Sequence, residues 1–345
     1  MAATQRSGWL YEGAGNGATE RTGSLGRPGE ASWQAPWGVI LAGGDGVRLR
    51  SLTRRITGDE RPKQFCPILG HETLLNQTRR RTALTVSPDR TLVVVTQAHE
   101  RFYTPVLAGP LSSSLVVQPE NRGTAPAILY ALHRLAPMTG TEPVAIFPSD
   151  HYVSDDVAFM AHVEAAFAAV RLRPELVVLL GIMPDRPEVE YGWIEPAEPI
   201  VGEGAGAVCR VRRFWEKPSA LLAQTLRAEG CLWNSFVMVA RVPTLLGLIN
   251  SAVPDLYDAF APIRPFISTA EEEEVVREVY SRLPSTDFSS QVLERHPARL
   301  AVLRVSGVGW NDLGDPYRVE ATQRQMYRRP HYAWSRQMPA ELSAR

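Results

Sequence analysis

The stretch Val39-Ile40-Leu41-Ala42-Gly43-Gly44-Asp45-Gly46-Val47-Arg48-Leu49-Arg50 is where residue type and spacing first suggest chemistry. An apolar run breaks into three glycines within four residues, and an arginine follows two positions after the last. Lys63 stands fifteen residues beyond Arg48, inside Arg61-Pro62-Lys63-Gln64-Phe65. A strand that runs into a glycine turn presents backbone N–H groups, and the missing Cβ lets a phosphate approach them. Arg48 and Lys63 would supply countercharge. Two common phosphate loops are excluded. A P-loop needs Gly-Lys-Ser/Thr at its end, but Val47 and Arg48 follow Gly46. A dinucleotide fingerprint needs a third glycine, and Leu49 occupies its place.

Two further stretches carry polar groups of the right kind. In Gln118-Pro119-Glu120-Asn121-Arg122-Gly123-Thr124 an apolar run ends and a helical pattern begins. Gln118, Asn121 and Arg122 offer donors and acceptors suited to a base edge. Phe147-Pro148-Ser149-Asp150-His151 puts a carboxylate just past the end of an apolar strand, where open α/β sheets bind ligands. Asp150 beside phosphate oxygens suits Mg²⁺, although a turn or helix-capping role also fits a carboxylate there. His151 has no spaced His or Cys partner, so no zinc site is read.

Leu41–Leu49 followed by Arg61–Phe65 resembles the signature of sugar-1-phosphate nucleotidylyltransferases. The Pro-Lys-Gln-Phe form is similar to that of mannose-1-phosphate guanylyltransferases. The resemblance runs from about Gly38 to Arg318, through several motifs in the family's order. It implies GTP and mannose-1-phosphate as substrates, Mg²⁺ as cofactor, and attack of the sugar phosphate on the α-phosphorus with loss of pyrophosphate. Leu41, Ala42, Gly43, Gly44 and Gly46 would then bind the nucleotide, the three glycines presenting their amides to the phosphates. Arg48 would hold the β- and γ-phosphates, and Lys63 the reacting centre. Gln118, Asn121, Arg122, Gly123 and Thr124 would line the base pocket. Asp312, in Trp310-Asn311-Asp312-Leu313-Gly314-Asp315, matches the second metal carboxylate beside Asp150, in preference to Asp315. Tyr191-Gly192-Trp193-Ile194 resembles a sugar-binding loop. Glu216 and Lys217, in Phe214-Trp215-Glu216-Lys217-Pro218, would meet sugar hydroxyls and the sugar's phosphate. Asn234, in Trp233-Asn234-Ser235, would bind a hydroxyl. Two residues depart from the pattern: Ser51 where a proline is usual, and Phe236 where a glycine is usual. Another sugar or base stays open. Because Lys63, Asp150 and Asp312 are all present, an enzyme is favoured over a non-catalytic nucleotide-sugar sensor.

These motifs need a scaffold. Apolar β-branched runs at Val39–Ala42, Leu92–Thr96, Leu115–Gln118, Val144–Phe147 and Leu176–Leu180 alternate with helical patterns at Thr73–Leu84 and Gly123–Leu135. A further helix follows Ser154, read as its cap. That alternation predicts a Rossmann-like, doubly wound, mainly parallel sheet. After Pro184 shorter strands (Val208–Phe214, Ser235–Ala240, Leu300–Val305) and helices (Pro243–Asn250, Glu271–Ser281) predict α+β sugar-binding insertions on the same sheet. The acidic run Glu271–Glu274 reads as a solvated helix start. The expected organisation is a tail over 1–36, a catalytic domain over 37–327 and a polar tail over 328–345.

The 37 basic and 37 acidic residues balance, so no global field points to nucleic acid or to an anionic membrane. Three scattered cysteines and the lack of a long apolar run point to a reduced, cytoplasmic setting. No signal peptide is read, and Glu12, Glu20 and Glu30 argue against a transit peptide. A homodimer is left open.

Overall fold

A computed structural model describes residues 35–107 and 114–328. Apart from Ala35, Pro36 and Arg328, the two expected tails lie outside the described residues. Among the described residues nine strands form one sheet: β1 Trp37–Leu41, β2 Thr91–Thr96, β3 Leu115–Gln118, β4 Pro143–Pro148, β5 Val177–Ile182, β6 Gly192–Val201, β7 Val208–Glu216, β8 Leu232–Arg241 and β9 Leu300–Val305. Their order is β3-β2-β1-β4-β8-β5-β9-β7-β6. Among the described strands β1, β2, β3 and β4 pair in parallel, as do β5 and β9. β8 is an antiparallel insert between β4 and β5, and β7 continues antiparallel from β9 to β6.

Period-two alternation divides the core between the two faces of this sheet. Val39, Val94, Val144, Ile146, Val177 and Leu179 face one apolar cluster, and Ile40, Val93, Val95, Ala145, Phe147, Val178 and Leu180 face the other. The first cluster is closed by α4 (Thr124–Thr139), α7 (Val242–Ala252), α8 (Pro254–Ala259) and α9 (Glu272–Arg282). The second is closed chiefly by α5 (Asp156–Leu172), with α3 (Glu100–Leu107) and α6 (Ala220–Ala228). A strand buried on both faces reads as a continuous apolar run, which is why Thr91–Thr96 and Val177–Ile182 carry no alternating polar residues. A third, smaller cluster joins Leu49, Cys66, Leu74, Tyr152, Leu313 and Val319, where α2 (Leu74–Thr82) meets α10 (Pro316–Arg328).

Several details differ from the sequence expectations. Helix α5 is capped by Asp155, whose side chain accepts from the Ala158 amide; the Ser154 hydroxyl instead donates to the Val308 carbonyl at 2.9 Å. The acidic run is not uniformly solvated. Glu272 is buried and accepts from Tyr130 Oη at 2.7 Å, Arg134 at 3.1 Å and the Ser268 amide at 2.7 Å. Trp233-Asn234-Ser235 lies within β8, and Gly192 opens β6 rather than a loop. Helix α1 (Arg50–Thr57), with α3, α6 and α10, was not anticipated. Among the described residues no helix is long and apolar enough to cross a membrane.

The topology places the chemistry. The chain leaves β1, builds β2 and β3 on one side, then returns to β4 on the other. The carboxyl ends of β1 and β4 therefore flank a switch point, the usual ligand crevice of such sheets. Leu41 pairs with Pro148 there, and the Ser149 amide donates to the Leu41 carbonyl at 3.1 Å. The glycine loop and Asp150 are neighbours for that reason.

Candidate active site

The loop after β1 is pinned by its carbonyls. Gln64 Nε2 donates to Ala42 O at 3.0 Å and Gly44 O at 2.7 Å, and the Thr96 hydroxyl donates to Gly43 O at 3.0 Å. Gln64 is buried. Gly46 lies in the left-handed region at φ 58°, and a Cβ there would sit 2.9 Å from the Lys63 amide nitrogen. Only glycine lets the loop lie this close to the Pro62-Lys63 backbone. Gly44 has open space around it. Arg48 projects from the following turn, is mostly exposed, and pairs with Glu190 at 3.1 Å.

Lys63 is the buried centre, 9% exposed. Its Nζ donates to the carbonyls of Asp312 and Leu313 at 2.5 and 3.3 Å, and lies 3.3 Å from Asp150 Oδ2. Three segments far apart in sequence thus meet on one ammonium. Asp150 keeps a partly open carboxylate that lines the cleft, with His151 Nε2 3.6 Å from its Oδ1. Burial holds the His151 imidazole below its usual pKa, so its contact with Asp150 is not an ion pair near neutrality. The His151 ring packs edge-on against Trp310.

Asp312 reaches the same centre, but its carboxylate is committed. Oδ1 accepts from Tyr191 Oη at 2.8 Å, from the Gly314 amide at 3.0 Å and from Arg318 at 2.9 Å, while Oδ2 takes Arg318 at 3.1 Å. Arg318 is itself buried, contacts Glu188 at 2.8 Å, and stacks over the Tyr191 ring. Burial pushes the Asp312 carboxyl up, yet Lys63, His151 and Arg318 with the Tyr191 hydrogen bond outweigh it, and its pKa ends lowered. Mg²⁺ binds through one or two carboxylates together with phosphate oxygens and water. Asp150, partly open beside the phosphate loop, fits that requirement. Asp312 is more constrained, since Tyr191, the Gly314 amide and Arg318 fill Oδ1, and Oδ2, which shares Arg318, keeps one lone pair for an ion. Among the described residues no set of three acidic, His or Cys side chains is placed to hold a metal alone. Tyr191, expected at the sugar, spends its hydroxyl on orienting Asp312.

The expected nucleotide residues gather round a cleft of about 470 Å³ lined by Leu41, Gly43, Gly44, Gln118, Asn121, Gly123, Thr124 and Asp150. Ala42 is buried behind it. Asn121 Nδ2 donates to Asp45 Oδ2 at 2.8 Å, and its Oδ1 accepts from the Gly123 amide at 3.0 Å. Asp45 also faces the buried His99 at 3.2 Å, so one loop carboxylate ties the glycine turn to the helix entry. Two further expected residues do not line the cleft: Gly46, which packs against Pro62 and Lys63, and Arg122, whose guanidinium turns to Glu120 at 3.0 Å. Gly123 sits at φ 89°, where a Cβ would meet the Thr286 carbonyl oxygen at 2.5 Å.

The expected sugar residues meet on the far strands. Gly192 pairs with Glu216 across β6 and β7, and a Cβ on Gly192 would lie 2.8 Å from Glu216 Oε2 and 3.3 Å from Asn234 Cβ. Burial raises the Glu216 carboxyl to about 7, helped by Asp287 and Glu294 and opposed by Lys217. Lys217 adopts φ 48°, and its amide donates to the Tyr191 carbonyl at 3.3 Å. Asn234 Oδ1 accepts from the Phe236 amide at 3.0 Å. Phe236 itself lies at φ 61°, a conformation that costs a non-glycine residue about 1–3 kcal/mol.

Sequence reasoning missed Ser285 and Asp287, which line the cleft. Asp287 accepts from the Thr124 hydroxyl at 3.2 Å, and that hydroxyl accepts from the Phe288 amide at 2.8 Å. The run Pro284-Ser285-Thr286-Asp287 reads as an ordinary polar turn. Only its docking on the start of α4 reveals the connection.

Comparison with known proteins identifies the family. A family profile described as nucleotidyl transferase matches residues 37–326. The xanthan biosynthesis protein XanB of Xanthomonas campestris pv. campestris (strain B100) is 32% identical over 280 residues, 80% of this chain and 57% of that protein. The mannose-1-phosphate guanylyltransferase of Escherichia coli (strain K12) is 30% identical over 285 residues, again 80% of this chain and 57% of its own length. The match therefore spans little more than half of these relatives. A crystal structure from Thermus thermophilus, described as a mannose-1-phosphate geranyltransferase, superposes with a TM-score of 0.72 at 31% identity, covering 86% of this chain and 81% of that one. The chain belongs to the nucleotidyl transferase family.

Proposed function

We propose that the protein transfers a nucleotidyl group from a nucleoside triphosphate to a sugar-1-phosphate, and that GTP and mannose-1-phosphate are the pair it uses, giving GDP-mannose and pyrophosphate. The observation that carries the reaction type is the meeting of Lys63, Asp150 and the glycine loop at the switch point. The choice of sugar and base rests on the relatives named for mannose-1-phosphate, at about 30% identity.

In this reading the triphosphate lies along the loop, with amides of Gly43, Gly44 and Gly46 close to its β- and γ-phosphates and Arg48 swinging from Glu190 to the leaving pyrophosphate. Lys63 holds the α-phosphate, where negative charge builds as the sugar phosphate oxygen attacks in line. Magnesium, bound to Asp150 and phosphate oxygens, would supply further charge neutralisation. Gln118 and Asn121 read the base, and Glu216 with Asn234 receives sugar hydroxyls. Two carbonyls and Asp150 hold the buried Lys63, so the phosphate takes over one of these contacts when it binds.

Pyrophosphate release measured over a panel of triphosphates and sugar-1-phosphates, with and without chelator, tests this. Turnover is expected with GTP and mannose-1-phosphate and lost with the chelator. A better pair elsewhere in the panel reassigns base or sugar; silence across the whole panel rejects nucleotidyl transfer.

A further inference from the structure

Strand β8 is broken by a bulge at one place only in its pairing with β5: Gly181 pairs with Asn234 and Leu179 with Met238, so β8 carries two extra residues there. The bulge is built rather than tolerated. The Ser235 hydroxyl donates to the Leu180 carbonyl at 2.7 Å and accepts from the Val237 amide at 3.2 Å, while Asn234 Oδ1 takes the Phe236 amide at 3.0 Å. A bulge of this kind re-aims one side chain. Here that side chain is Phe236, held at φ 61° and lining the cleft with Gly43, Gly44, Asp150 and Asp287. Its ring is braced edge-on by Phe288 at 6.3 Å.

The sheet order says which part of a substrate meets this ring. Gln118 ends β3, the glycine loop ends β1, Asp150 follows β4, and β8 comes next, with Met238 paired to Ile146 and Phe236 therefore beyond it toward the carboxyl end of β4. Base, phosphates and carboxylate occupy the first four strands. The next group along the cleft is whatever is bonded to the attacking phosphate. We propose that Phe236 determines acceptor specificity: its ring is the wall on which the apolar C–H face of the sugar of a sugar-1-phosphate packs, while the carboxylates of Glu216 and Asp287 take hydroxyls on the polar side. The inference rests on the nucleotidyl-transfer reading.

The test uses the full chain and two variants, Phe236→Gly and Phe236→Leu. Glycine suits the backbone conformation, so folding is retained, and thermal unfolding checks this. A single methylene in such a pocket changes discrimination by about 10–200-fold. With the triphosphate fixed, Phe236→Gly is expected to lower kcat/KM for the preferred hexose-1-phosphate at least about 10-fold and to reorder the hexose-1-phosphate panel. KM for the triphosphate should stay within about twofold, and Phe236→Leu should fall between. An unchanged ranking, or an equal rise in triphosphate KM, overturns the proposal. If the wild-type protein turns over no pair, the reading of the reaction fails first. Equilibrium binding of the same sugar phosphates to wild-type and Phe236→Gly proteins then decides the wall, and equal affinities overturn it.

Discussion

Lys63 Nζ stands 3.3 Å from Asp150 Oδ2, while the Asp312 and Leu313 carbonyls hold it from the other side. An ammonium so held keeps its charge at one spot, and a phosphate reaches it by replacing one of these three contacts. Under the proposed function, replacing Lys63 removes the transition-state partner of the α-phosphate. Lys63→Ala should lower kcat about 100–1,000-fold. It should also cost about 1–3 kcal/mol of stability, because acceptors that faced the ammonium lose their donor. Lys63→Arg should not rescue activity, since the site is buried and a planar fork does not fit a point-charge position. Single-turnover rates with thermal unfolding separate the two effects. Activity of Lys63→Ala within tenfold of wild type would make the lysine a strut only.

Gly44 and Gly46 lie two residues apart and should fail in different ways. A Cβ on Gly46 would lie 2.9 Å from the Lys63 nitrogen and 3.1 Å from Pro62 Cα, at φ 58°. Gly46→Ala should therefore destabilise the fold by about 1–3 kcal/mol and displace Lys63. Gly44→Ala meets no atom within 4 Å. Its melting temperature should be unchanged, yet under the proposed function the methyl would stand where a phosphate approaches the amide, raising triphosphate KM about tenfold. A Gly44→Ala protein with wild-type KM would place the phosphates elsewhere.

How much of this was legible in the sequence depends on whether the signal was local. Strands β3 and β9 coincide with their apolar runs, whose valines and leucines fit a pleated, packed surface. Helix α1 was missed because RSLTRRIT is only about two turns long and its apolar face is just Leu52 and Ile56. At the site, Gly43, Gly44, Gln118, Asn121 and Asp150 share a cleft because each follows or ends a parallel strand at the same sheet edge. What a side chain does with its polar atoms was not legible. Arg122 turning to Glu120, Tyr191 binding Asp312 and Glu272 being buried all depend on partners distant in sequence or on rotamers. Asp287 had no local signal at all, since its role comes from Thr124 in another element.

Glu216 predicts a pH dependence with a definite sign. Its carboxyl is raised from 4.5 to about 7, first by burial and then by Asp287. Between those values the folded state keeps a proton that the unfolded chain releases, so stability falls as pH rises through the window. Glu216→Gln should flatten that slope, matching wild type at low pH and exceeding it above neutrality. Under the proposed function the ionised carboxylate is the better acceptor for a sugar hydroxyl. KM for the sugar phosphate should therefore drop as pH rises through about 7 in wild type, and lose that dependence in Glu216→Gln. Parallel pH profiles of unfolding and of KM check both. A wild-type stability slope of opposite sign, or one that Glu216→Gln leaves intact, would contradict the assignment.

Asp150 and Asp312 should separate in a magnesium titration. Asp150 faces the cleft with a partly open carboxylate, whereas both oxygens of Asp312 hydrogen-bond to Arg318, and Oδ1 also takes Tyr191 and the Gly314 amide. Asp150→Asn should raise the magnesium needed for half-maximal turnover more than about tenfold, through loss of a charged ligand. Asp312→Asn should shift that requirement less than Asp150→Asn does, because Tyr191, the Gly314 amide and Arg318 leave only one lone pair of Oδ2 for the ion. Its cost should appear as lower stability, since Arg318 would lose the carboxylate that grips it with both oxygens. Arg318→Ala should be worse, at about 3–5 kcal/mol, because it leaves Asp312 and Glu188 as buried charges without their cation. The decisive comparison is the two magnesium curves. If Asp312→Asn shifts its curve as far as Asp150→Asn does, then Oδ2 takes the ion when nucleotide binds, and Asp312 is the second metal ligand.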